Sequence, residues 1–502
     1  MRRRRSWFVW VPFFVLVVVI NGLRFVHLDA DFPPGITTSR ALYTDEGLYS
    51  FNAIRMSAGR SWYAPGELNT SVNLPVASIL QVSAFRVSGH SLIVARSLVA
   101  ASAILLIAVS FALTLRYASR ISAMLVAATL SCDFLLFSYS RLAILDVVMT
   151  TVMALAVLTA SSIRQKHFVL TSALAGLLIG IATLTKTTAV CAIPAVVYLG
   201  IAGIPGPTRR RHVAGIILAS CALVIGSYNA LAWYSYPQDY IYFHRIAEVR
   251  LASGPLDLAW NFVLSVLNTI RFDPWVSLTA LGSAAVLFKA STAFRSNTLA
   301  RVSALWVLGF LVTLSITSYQ PSRYFVVVLV PMAMLFGVAI SHIGELLPTR
   351  VSATAVRVTI VVCLLTVNIW HIGTYLRHPR YSFARMAREV GTIVNATAGN
   401  HHPGVLLGNM AASVSFESDI SAVSLEYGST DLGTRIRTAC PTHLIALEPP
   451  DADQSRVLSS YYAVEPIKEW MVFGNYFEHQ PVRLFRLRPH AGRLLACPMT
   501  AP

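Results

Sequence analysis

Polar side chains are the exception along most of this chain. Apolar runs fall at about 7–25, 91–115, 121–137, 146–162, 168–185, 187–204, 213–235, 275–290, 302–318, 324–341 and 356–374. Each is near the ~20 residues that a helix needs to cross a bilayer, so the pattern predicts about eleven spans. Phe168 to Gly203 is almost continuously apolar. As one helix, rising about 1.5 Å per residue, it would exceed ~50 Å against a hydrocarbon core of ~30 Å. It therefore divides into two spans, with Lys186 at the turn. The first run follows MRRRRSW, and no small-residue cleavage site comes after it. A retained span is expected rather than a signal peptide.

The pattern changes near residue 380. VGTIVNATAG, GVLLGNM, HLIALEPPD and VRLFRLRP read as short β-like runs, alternating with helix-like stretches such as FARMAREVGTIV. A small α/β domain over 377–502 is expected, after a membrane domain over 1–376 whose long polar loops are 26–90 and 236–274.

Composition agrees with the runs. Of 502 residues, 55% are hydrophobic and 13% charged, against roughly 25% charged in soluble domains. The net charge of +17 does not form a basic groove interleaved with aromatics, so no nucleic-acid partner is expected. The basic residues sit in short clusters between apolar runs. RRRR at 2–5, Arg116 with Arg120, Arg164 with Lys166, RRR at 209–211, Lys289 with Arg295, and Arg350 fall on alternate connections. That side is expected to be cytoplasmic, N-terminus included. The other side then receives 26–90, 138–145, the turn at Lys186, 236–274, 319–323 and everything beyond about 376. This predicts an integral protein of a bacterial plasma membrane, its polar loops and C-terminal domain extracytoplasmic.

Charge inside such a chain needs a reason. TDEGLYSF sets Asp45 beside Glu46 at the start of a helix-like segment. Acids in a first turn suit the helix dipole after a Thr44 cap; they also suit a general base at the membrane surface. Leu48, Phe51 and Ile54 would seat that helix on the apolar side. Asp146, in SYSRLAILD, falls at a span end beside Arg141, as an interfacial ion pair or a second active-site carboxylate. Lys186 and Arg323 each stand alone at a turn between spans. They either snorkel to headgroups or clamp a phosphate. In the amphipathic segment PQDYIYFHRIAEVR, His244 and Arg245 are candidate contacts should the loop close over a site. DAD at 29–31 and at 451–453 are DxD-type pairs, so a divalent cation is the one cofactor candidate, although no metal-ligand motif such as CxxC or HExxH is present. Asn69 and Asn395 begin glycosylation sequons by pattern. Cys132, Cys191, Cys221 and Cys363 read as small buried hydrophobes; Cys440 and Cys497 could pair in an oxidising compartment.

DExxYxxxAxxMxxG, then WYAP, LPVASILQVSAFRVSGHSLIVARS, YSRLAILD, GLLIGIATLTKTTAVCAIPAV and RYFVVVLVP follow one another through residues 43–331. The ordered set resembles the GT-C membrane glycosyltransferases, above all the protein O-mannosyltransferases and the bacterial aminoarabinose transferases that modify lipid A. The resemblance implies a helical polytopic fold with an extracytoplasmic active site. It also implies a polyprenyl-phosphate sugar donor and inversion in one displacement onto a hydroxyl of a lipid, glycan or protein acceptor. By matching positions, Asp45 is the base, with Glu46 and Asp146 the accompanying catalytic acids. Tyr49, Arg60, Arg141, Lys186, Arg323 and Tyr324 are the substrate-binding candidates. The chain departs from many relatives at Asn73-Leu74-Pro75, where they carry Lys-Pro-Pro with a lysine toward the donor phosphate. Lys186, Arg323 or Arg60 would supply that charge instead. Two other classes fit the spans: a transporter or flippase of lipid-linked sugars, for which no internal repeat is visible, and a scaffold presenting the C-terminal domain.

Overall fold

The computed structural model describes residues 7–36, 42–164, 167–289, 297–343, 352–398, 404–472 and 480–490. Arg2 to Arg5, Arg40, Lys166, Arg295, Arg350 and Cys497 lie outside them. The eleven apolar runs all lie on helices, from Trp7–Leu23 to Ala353–Arg377. Six helical stretches are long and apolar enough to cross a membrane: those at 92–117, 168–185, 207–235, 298–315 and 322–342, and the one opening at Ala353. The protein is built as an integral membrane protein.

Two runs are broken by a polar residue, and the breaks shape the site. Asp133 separates Arg120–Cys132 from Phe134–Tyr139 and caps the second helix, its Oδ1 accepting the Leu136 N–H at 2.6 Å. Lys186 is extended between Phe168–Thr185 and a 3₁₀ turn, Thr187–Ala192, which leads into Ile193–Ala202. The centre of the bundle is Val326–His342, buried on every side along most of its length. It packs with Leu145–Ala160 in one apolar core. A helix hydrophobic all round belongs in such a place.

Segments expected on one side of the membrane do meet at one end of the bundle. Buried arginines tie the chain there. Arg24 donates to the carbonyls of Leu130, Ser131 and Leu136 and to Ser140 Oγ. Arg141 donates to the carbonyls of Leu23, Arg24 and His27. Both satisfy backbone oxygens that helix ends leave unpaired.

The C-terminal region holds a five-stranded sheet: β1 (Val405–Leu407), β2 (Ser421–Val423), β3 (His443–Ala446), β4 (Tyr462–Val472) and β5 (Gln480–Pro489), in the order β2-β1-β3-β5-β4. β1 pairs in parallel with β2 and β3, whereas β5 runs antiparallel to β3 and β4. GVLLGNM, HLIALEPPD and VRLFRLRP supply β1, β3 and β5. VGTIVNATAG instead continues the helix Ser382–Ala398. Phe383, Met386, Ala387, Val390 and Val394 recur at helical spacing and are all buried, so tertiary packing outweighs the β-branched run.

The domain shares a core with the loop helices rather than resting on them. Phe51, Ile54 and Phe85 pack in one cluster with Phe383, Phe416 and Ile445. The apolar face of Leu42–Ser57, expected against lipid, is thus covered by the C-terminal domain. Gly47 marks the closest approach: a Cβ there would stand 2.2 Å from the Ser413 nitrogen. Its own N–H donates to Ser413 Oγ at 3.1 Å.

Candidate active site

Four elements bring charge to one place. Leu42–Ser57 carries Asp45 in its first turn. Leu145–Ala160 carries Asp146 in its first turn. The break after Thr185 presents Lys186, and the 3₁₀ turn Ser322–Phe325 presents Arg323 and Tyr324. An acid in a first turn is favoured by the partial positive charge of the helix N-terminus. Each also finds a cation. Arg323 Nη1 donates to Asp45 Oδ2, and Lys186 Nζ donates to Asp146 Oδ1 at 2.5 Å. The Lys186 ammonium lies 3.9 Å from the centre of the Tyr324 ring, and the Arg323 guanidinium 5.8 Å, within cation–π reach.

A cavity of about 690 Å³ opens onto this cluster, lined by Asp45, Tyr49, Lys186, Arg323 and Tyr324. Asp146 stands behind Lys186, fully buried. Burial pushes the Tyr49 phenol well up, with Tyr324 and Asp146 adding to the effect, so its hydroxyl keeps its proton. Two buried ion pairs at one opening carry a desolvation cost, because each charge gave up water.

The other candidates go elsewhere. Glu46 faces away from the cavity. Its two oxygens accept from Arg96 Nε and Nη2 at 2.7 and 2.6 Å, and Oε1 also accepts the Ala143 N–H. It locks the loop helix to Leu92–Tyr117, and its catalytic reading gives way to a structural one. Arg60 donates to the carbonyls of Asp419 and Ile420, so it docks the C-terminal domain and lies off the cavity lining. Arg141 is spent on the three carbonyls named above and pairs with neither Asp146 nor the cavity. Asp31 caps Ser382–Ala398, accepting from Ser382 and Phe383. Asp451 caps Ala452–Tyr461 through a capping box. Both DAD pairs therefore do structural work, and among the described residues no group of three His, Cys, Asp or Glu side chains could hold a metal ion. Asn69 is buried, bonded to Asn52, Ala64, Glu67 and Asp239, which removes its sequon from solvent. Asn73 is buried with neither amide atom partnered. Cys440 is disulfide-bonded. Cys363 is exposed on its helix rather than buried.

Loop 236–274 does border the cavity, as its amphipathic segment suggested, whereas the share of the wall from Glu67 and the C-terminal domain was not anticipated. Loop 236–274 forms two helices, Pro237–Glu248 and Pro255–Phe272. Asp239 pins the first by accepting from Tyr63 at 2.5 Å and Asn69 at 2.9 Å. Phe243 and Arg250 line the cavity, whereas His244 and Arg245 do not. Glu67 and the C-terminal segments 422–427 and 445–449 complete the wall. A lone glutamate in a loop carries no periodic signal, and segments nearly 400 residues away cannot be paired with it from one sequence.

Fold and cavity together define an apolar helical bundle whose charged chamber sits under a small domain at one end. The family described as dolichyl-phosphate-mannose-protein mannosyltransferase matches residues 72–233. Among solved structures, ArnT from Cupriavidus metallidurans in the apo state matches with a TM-score of 0.62 at 17% identity, covering 95% of this chain and 98% of ArnT. The same protein bound to undecaprenyl phosphate matches with 0.59 at 16% identity, covering 94% and 97%. The archaeal oligosaccharyltransferase AglB from Archaeoglobus fulgidus, in complex with an inhibitory peptide and a dolichol-phosphate, matches with 0.55 at 9% identity, covering 92% and 74%. No curated protein matches the chain by sequence. The protein resembles the GT-C superfamily, and at these identities the likeness establishes the fold.

Proposed function

We propose that this protein is an inverting glycosyltransferase. It moves a sugar from a polyprenyl-phosphate donor to an acceptor hydroxyl at the extracytoplasmic surface of the membrane. The observation that carries the reading is the pair of carboxylate–cation contacts, Asp45–Arg323 and Asp146–Lys186, at one cavity in an apolar bundle. The undecaprenyl phosphate bound to ArnT and the dolichol-phosphate bound to AglB support a lipid-phosphate carrier here.

A lipid-linked donor keeps its tail among the spans and its phosphate at the bilayer edge. Arg323 and Lys186 would turn from their carboxylates to the donor phosphate, a stronger and partly bidentate partner for the guanidinium. That exchange frees Asp45. The acceptor oxygen then bonds to the anomeric carbon as the bond to the phosphate oxygen breaks on the opposite face. Asp45 takes the hydroxyl proton, and the two cations hold the departing phosphate. The Tyr324 ring keeps Lys186 in place, and Tyr49 bounds the sugar.

The test compares envelope glycans and glycoproteins by mass spectrometry in cells with and without the gene, and in cells carrying Asp45→Asn. A sugar missing from the deletion and from the Asp45→Asn strain, with free polyprenyl phosphate released only by the wild type, is the expected result. An unchanged envelope in the deletion would overturn the reading. Polyprenyl-linked sugar crossing the membrane without release of carrier phosphate would favour the transporter instead.

A further inference from the structure

Two carboxylates of the chamber, Asp45 and Asp146, are each paired with a cation. A third is not. Glu67 lines the same cavity and is only 7% exposed, yet it has no ion pair within 4.0 Å among the described residues. Its Oε2 accepts the Ser424 N–H at 2.9 Å. Its Oε1 has no hydrogen-bond partner and is not sealed from the cavity. We infer that Glu67 is the acceptor-binding carboxyl of this site, its Oε1 receiving a hydroxyl of the polyol that takes the sugar. This rests on the glycosyl-transfer reading above and adds to it the residue that grips the second substrate.

The backbone around Glu67 is fixed more firmly than a loop requires. Asn69 Nδ2 donates to the carbonyls of Ala64 and Glu67, while Asn69 Oδ1 accepts the Ala64 N–H. Gly66 holds a left-handed φ of +81°, and a Cβ there would meet Thr430 Oγ1 at 2.5 Å. The Thr430 N–H in turn donates to the Gly66 carbonyl. So rigid a mount suits a group that must meet a ligand in one geometry. Holding Ser424 alone would need one neutral oxygen, as an amide supplies, without the cost of a buried carboxylate.

The placement also divides the chamber. Lys186, Arg323 and Tyr324 mark the end at the spans, where a lipid-borne phosphate arrives. Glu67 joins the wall built by Ser424 and its neighbours on the C-terminal domain, where a water-borne or glycan hydroxyl arrives. Burial lifts the Glu67 carboxyl to about 7, with the Asp239 charge adding to the rise, although the Ser424 N–H and the Arg435 and Arg55 charges pull it down. It gains its charge, and with it its strength as an acceptor, as pH rises through the neutral range. Hydroxyl binding should therefore strengthen between about pH 6 and pH 8.

The experiment uses membranes from gene-deleted cells complemented with wild type, Glu67→Gln, Glu67→Asp or Asp45→Asn, which hold their own donor and acceptor. Product formation should fall about tenfold or more in Glu67→Gln and recover in part with Glu67→Asp, since a hydrogen bond to a charged group is lost. Wild-type transfer should rise with pH across 6–8, and Glu67→Gln should flatten that rise. Purified Glu67→Gln should still bind undecaprenyl phosphate as wild type does, by native mass spectrometry. Wild-type rate and pH profile in Glu67→Gln, with Asp45→Asn inactive, would overturn this inference and leave the transferase standing. If no variant or deletion alters any envelope sugar, the transferase reading fails. Glu67 is then judged by dicyclohexylcarbodiimide labelling. Reaction at Glu67 that declines as pH rises through about 7 keeps it as a cavity-facing, titrating carboxyl; no labelling removes even that.

Discussion

Asp45 and Glu46 are neighbours in the chain and face opposite regions of the molecule. Asp45 looks into the cavity, where its partner Arg323 also lines the wall. Glu46 looks into the scaffold. Its pair with Arg96 is sealed, and Arg96 also donates to the carbonyls of Leu28 and Ala30. A full set of bonds on both partners leaves no capacity for a ligand. The same ion-pair chemistry thus borders a void in one place and acts as a clamp in the other, where no void exists. What separates the two is access, since chemical type and helix position are nearly identical.

The contrast can be broken at several points. Asp45→Asn should lower sugar transfer about 10²–10⁴-fold while the protein stays folded, as expected on losing a general base; turnover near the wild-type rate would end that assignment. Glu46→Leu should do the reverse. It strands the Arg96 charge and should cost about 3–5 kcal/mol of stability, seen as a lower melting temperature in detergent, with activity per folded molecule preserved. Lys186→Met should weaken binding of undecaprenyl phosphate about 10–100-fold, because a charge-assisted contact is removed. Equal affinity in a titration would place the phosphate elsewhere. Gly47→Ala should loosen the C-terminal domain by about 1–3 kcal/mol through overpacking against Ser413, measured as faster hydrogen exchange in β1 and β2. Arg60→Ala, which loses only its two carbonyl contacts, should cost about 1 kcal/mol and leave phosphate binding untouched.

Much of the architecture could be read in advance. The run length of apolar residues located the helices, and the charges at their ends located the cavity, because a bilayer tolerates a charge only where it has a partner or reaches the edge. Lys186, Arg323, Asp45 and Asp146 stood out for that reason. Arg60 and Arg141 looked the same on paper. Their true partners are backbone carbonyls at loop and helix ends, which no side-chain pattern records. Of the DAD pairs, Asp451 caps the helix that follows it, which its sequence allows, whereas Asp31 caps Ser382–Ala398, a partner that no local pattern records.

By itself, then, the sequence determined which segments leave water and which charges need company, since both follow from local composition and the fixed thickness of a bilayer. Only the tertiary structure decided which of two adjacent acids meets the cavity, and that a distant domain closes it over Glu67. Those outcomes depend on which surfaces touch across hundreds of residues, and a contact between remote segments leaves no periodic trace in either one.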